Sequence, residues 1–292
     1  MTGVQTCALP ILNRLNDEQL RIVEAIALFQ KVGYRDEVKE ELDLLCETLT
    51  LDRENVLEIA QQLKDVPGYI AFAGRYLYIT PEIIAQVSFV GGWKRWIQYD
   101  PSTFLNKIPQ PLLDAFLNRV STSSSEEVRR IVGEFFQHWT TQFQPIDLSD
   151  ISKAKKLITL IEIDPEDYLP RLSNLVERAS KEELLQIAGG FINGTGTRRS
   201  LVWLADKMAA FPEFFSYAES ILWKLALAET EFNVANNATH VWQQLFRIYL
   251  SGTAIPFGER INLLETRLFS EQKEEITLAL ECLSQTFDTS GS

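Results

Sequence analysis

Between Asp17 and Thr80 the apolar positions change period. Leu20, Val23, Ile26, Ala27 and Phe29 keep mostly helical spacing, which predicts a helix over Asp17 to Lys31. Val32-Gly33-Tyr34 breaks it, with Gly33 placed to take the left-handed position that follows a helix. Asp36 can cap a second helix that turns Val38, Leu42, Leu45 and Leu49 to one face. A third helix starts at Asp52, buries Val56, Ile59, Ala60 and Leu63, and stops at Pro67-Gly68. The period then shortens. Tyr69 to Phe72 and Tyr76 to Ile79 are β-branched and aromatic runs separated by Ala73-Gly74-Arg75, which predicts a hairpin. Three helices followed by a hairpin is the order of a winged helix.

Thr80-Pro81-Glu82 opens a further helix, with Thr80 as its cap and Pro81 at its first position. Gly91-Gly92 loosens the chain, and Asp100-Pro101 marks a boundary. Beyond it the strand signal almost vanishes. Helical segments follow one another, separated by short breakers such as Ser121 to Ser125, Pro145 and Asp164-Pro165. Ser180 and Glu183 form a capping box. Strong helical segments cover Thr197 to Ala210 and Pro212 to Leu227, and Val241 to Leu250, Pro256 to Phe269 and Glu271 to Phe287 complete the chain. No exact repeat period is visible. The predicted fold class is mainly α: a winged-helix domain over 12–100 and an irregular, α-solenoid-like helical array over 101–292.

Composition narrows the roles. Hydrophobic residues make up 46% and charged residues 23%, the range of soluble globular chains. No apolar run approaches the length needed to span a bilayer. The formal net charge is −12, and both predicted domains are acidic. Nonspecific nucleic-acid binding depends on neutralising phosphates, so this balance disfavours it. Cys46 and Cys282 lie on apolar helical faces and read as core thiols in a reducing cytosol. Asn193-Gly194-Thr195 and Asn237-Ala238-Thr239 match glycosylation sequons by chance. Residues 2–11, from Thr2 to Ile11, resemble the read-through translation of a short-read sequencing adapter. This implies an artificial start and a natural protein that begins further upstream.

Candidate chemistry is sparse. The third helix carries Asp52, Glu54, Glu58 and Asp65 against Arg53 and Lys64, a poor surface for a major groove. Gly189 and Gly194 have the glycine spacing of a phosphate loop, but Thr195 stands where that motif needs lysine and no strand precedes it. Arg198 and Arg199, at the following helix N-terminus, are the anion-contact candidates. His138 sits among Phe135, Phe136 and Trp139, and His240 near a helix start; neither has metal-ligand spacing. Glu40-Glu41 and Glu274-Glu275 read as solvated faces. Trp203, Phe211, Phe214, Phe215, Tyr217 and Trp223 read mostly as core, and any exposed member would mark a protein-contact face. No catalytic, cofactor-binding or metal-ligating residue is assigned.

The strings FQKVGY (Phe29 to Tyr34), GRYLYITP (Gly74 to Pro81), RRSLVWL (Arg198 to Leu204) and NNATHVWQQLFRIYLSGTAIP (Asn236 to Pro256) carry a resemblance that covers most of the chain after Leu12. The chain is similar to the portion of bacterial STAND-type P-loop NTPases that follows the ATPase domain, in switch proteins of signalling and anti-phage defence. The resemblance implies a cytoplasmic, non-catalytic regulatory or sensor arm. Its partners would be an ATPase domain missing upstream and a protein ligand or effector on the helical array. Two readings compete with it: a free-standing winged-helix DNA-binding regulator with a helical effector domain, and a helical protein-interaction scaffold.

Overall fold

The computed structural model describes residues 12–187, 196–230 and 234–287. The adapter-like segment 1–11 and the glycine-rich stretch 188–195 lie outside them. The described chain is mainly helical with one small three-stranded sheet. It divides into two compact units, one ending at Gln137 and one beginning at His138.

The first unit opens with α1 (Asp17–Ala27), started by a reciprocal capping box between Asn16 and Gln19. Ile22, Val23, Ile26 and Ala27 fill its buried stripe. β1 is the short strand Val32–Gly33. It is followed by α2 (Glu40–Leu49), α3 (Arg53–Asp65), β2 (Ile70–Ala73) and β3 (Tyr76–Ile79). The strand order is β1-β3-β2, antiparallel throughout, with Val32 opposite Leu77 and Phe72 opposite Leu77 from the other side. The predicted hairpin is present, and Gly74 supplies the positive φ of its turn.

Gly33 departs from the reading of the pattern. It takes no left-handed conformation but lies in β1, where a side chain would collide with the backbone of Val38. Asp36 does not cap α2: it begins a 3₁₀ turn, and α2 starts four residues later at Glu40 without a side-chain cap. Asp52 does cap α3, its carboxylate accepting from the Asn55 N–H at 2.8 Å.

α4 (Glu82–Gly92) is capped by Pro81, not Thr80, and runs straight through Gly91-Gly92 into a π-helical turn over Trp93–Ile97. These glycines do not loosen the chain. They allow α4 to lie against α1: a Cβ on Gly92 would stand 2.6 Å from the Glu24 carbonyl oxygen and 3.1 Å from the Leu28 side chain. Gly91 makes room for the Glu24 carboxylate, to which the Arg95 Nε donates at 2.6 Å.

α5 (Pro101–Lys107) and α6 (Gln110–Ser121) belong to the same unit. Phe116 of α6 packs on Phe29 and Phe104, and the Gln30 N–H donates to the Ala115 carbonyl at 2.9 Å. The Asp100-Pro101 breaker therefore lies inside the first unit, where Asp100 caps α5. α7 spans Glu126–Thr141.

The second unit holds α8 (Ile151–Ile163), α9 (Pro165–Arg178), α10 (Lys181–Gln186), α11 (Thr197–Ala209), α12 (Phe215–Leu227), α13 (Ala238–Gln244), α14 (Phe257–Leu268) and α15 (Lys273–Thr286). α12 is central, packing against α9, α11, α13 and α15. Ser180 and Glu183 make both capping-box bonds, at 3.2 and 2.8 Å. Some helices are shorter than their patterns: α1 ends at Ala27 instead of Lys31, and α12 begins at Phe215 instead of Pro212. Apolar spacing predicts helix to Leu250, but α13 ends at Gln244, and the chain from Leu245 to Ile255 is a loop. Arg260, buried in α14, accounts for this. It donates to the carbonyls of Leu245, Arg247 and Ile255, so those oxygens are satisfied outside a helix.

Candidate functional site

Two faces collect the candidate residues. In the first unit it is the outward side of α3 with the hairpin. Val56, Ile59, Ala60 and Leu63 turn inward, so Glu54, Glu58, Gln61, Gln62, Lys64 and Asp65 are left on the surface. The cations close to this face are already engaged. Arg53 pairs with Asp43 at 2.6 Å, Arg75 at the hairpin turn pairs with Glu37, and the Lys64 ammonium sits 5.7 Å from the centre of the Phe72 ring. Glu37 is held below the ordinary carboxylate value, first by a hydrogen bond from its own backbone and then by the Arg75 guanidinium. A phosphate approaching α3 meets the carboxylates of Glu54, Glu58 and Asp65. At the helix end Val66 is 83% exposed, and Tyr34 stacks edge-on to Phe72 at 5.3 Å.

In the second unit the structure separates the two anion-contact candidates. Arg198 is 1% exposed. Its guanidinium donates to the carbonyls of Leu184 at 3.0 Å, Leu225 at 2.7 Å and Ala228, and its Nε lies 3.7 Å from the Glu229 carboxylate. It joins the C-terminal ends of α10 and α12, where the last helix carbonyls need donors. Glu229 in turn accepts from the Thr230 and Thr239 N–H groups at 2.8 and 3.3 Å. Arg199 is half-buried. The glycines at 189 and 194 lie outside the described residues.

Above this buried pair is a cavity of about 550 Å³. Leu185 of α10, Leu227 of α12 and Leu278 of α15 form its apolar wall, and Lys181, Glu274 and Glu281 stand among its charged groups. Lys181 pairs with Glu274 at 2.8 Å.

A second buried charge escaped the sequence reading. Glu219 of α12 is 2% exposed and accepts from Trp242 Nε1 and from Arg267, both at 2.9 Å. The Arg267 guanidinium also lies 4.8 Å from the Trp223 ring, which packs on Trp242. Nothing in the chain order marks this cluster, because Arg267 is 48 residues from Glu219.

The remaining candidates have ordinary places. The His240 N–H donates to Asn237, and His138 lies 3.4 Å from Gln142. Cys46 and Cys282 are buried free thiols. Glu41, read as solvated, accepts from the Gly33 N–H at 2.7 Å. Among the aromatics, Phe215 and Trp223 are core, whereas Trp203, Phe211 and Tyr217 are exposed. Among the described residues no group of three or more His, Cys, Asp or Glu is arranged to hold a metal ion, and no helix is long and apolar enough to cross a membrane. No protein-family model, curated protein or solved structure matches the chain.

Proposed function

We propose that this chain is the non-catalytic regulatory and sensor arm of a STAND-type P-loop ATPase acting in bacterial signalling or anti-phage defence. In this reading the first helices and the hairpin form a winged helix that packs against an ATPase domain encoded upstream. The helical segment that follows is an irregular, solenoid-like array that receives a protein ligand. The arm works in the cytoplasm and brings no cofactor of its own.

The acidic outward face of α3 carries this reading. A winged helix that reads duplex DNA turns cations toward the phosphates. Here Glu54, Glu58 and Asp65 face solvent, and Arg53 and Arg75 are tied to carboxylates. Such a face suits a protein neighbour, and exposed Val66 at the same helix end gives it apolar surface. The order helix, strand, helix, helix, hairpin, with β3 between β1 and β2, supports the winged-helix assignment.

A long read of the source locus upstream of the Leu12 codon tests the proposal. A continuous frame containing Gly-x-x-x-x-Gly-Lys-Ser/Thr is the expected result. A start codon just upstream, with no ATPase domain, would overturn it and favour the free-standing regulator.

A further inference from the structure

We draw no further inference here: the strongest candidate, the outward apolar stripe of the last helix, α15, where Leu280 is 53% and Phe287 57% exposed beside half-buried Ile276 and Leu283, is an unpartnered apolar face, and nothing in the structure shows what covers it.

Discussion

Arg198 and Arg199 are adjacent in sequence and differ entirely in surroundings. Arg198 fills three backbone acceptors and faces Glu229 where both side chains are 1% exposed. Removing one partner of such a pair leaves the other charge buried, which costs about 3–5 kcal/mol. Arg198→Met should therefore lower the unfolding free energy by that order in urea titrations, with Arg199→Ala within about 0.5 kcal/mol of wild type. Equal effects from the two substitutions would contradict this placement. Gly92 makes the opposite kind of demand, for absence of atoms. A methyl group there meets the Glu24 carbonyl oxygen at 2.6 Å, and backbone cannot step aside as a side chain tip can. Gly92→Ala should destabilise by about 1–3 kcal/mol, the usual cost of overpacking. The two buried thiols give a pH signature. Burial pushes Cys46 up to about 11 and Cys282 up to about 12, from an ordinary value of 9.0. Above pH 9 the unfolded chain loses these protons while the folded chain keeps them. Their contribution to stability is therefore complete below pH 9 and declines as pH rises toward 11 and 12. Urea titrations at rising alkaline pH should show that decline, and it should weaken in Cys282→Ala.

At the scale of elements, Asp52 and the Ser180–Glu183 box cap their helices as read, because a cap needs only partners two or three residues away, whereas Asp36 and Thr80 do not cap the helices that follow them. α3 and the hairpin follow their patterns for the same local reason. β1 does not announce itself: two residues make no periodic signal, and Val32–Gly33 is a strand only because β3 lies beside it. α13 stops short of its apolar pattern because Arg260 takes the carbonyls of Leu245 and Arg247, and Arg260 is 13 residues beyond Arg247. The charge of α3 gives a prediction at this scale. Fluorescence anisotropy with a mixed-sequence duplex should show no binding at about 0.15 M salt, where unpaired phosphate contacts are screened. Glu54→Lys/Glu58→Lys should gain binding that falls with salt. Tight salt-dependent binding by the unaltered chain would remove the basis for preferring a protein-packing role.

The whole molecule has two compact units, each with its own buried set: Ile22 to Phe29 with Ile70 and Leu77 in one, Leu201, Leu204, Ala205 and Met208 with Ile221, Leu222 and Leu225 in the other. Two cores predict unfolding in more than one transition. A calorimetric scan should give a measured enthalpy larger than the van't Hoff value, and Arg198→Met should shift only part of the trace. What the sequence determined by itself is the mainly helical class, the positions of most helices, the hairpin and the acidic character of α3, all of which depend on spacing and neighbours within a few residues. The tertiary structure decided the rest. It sent Arg198 to the ends of two helices 14 to 30 residues away, used Gly91 and Gly92 to seat α4 on α1, paired Glu24 with Arg95 across 71 residues, and drew α5 and α6 into the first unit. A periodic pattern specifies which face of a helix is apolar. It contains no term for which distant face will cover it, or for which buried charge will find its partner there.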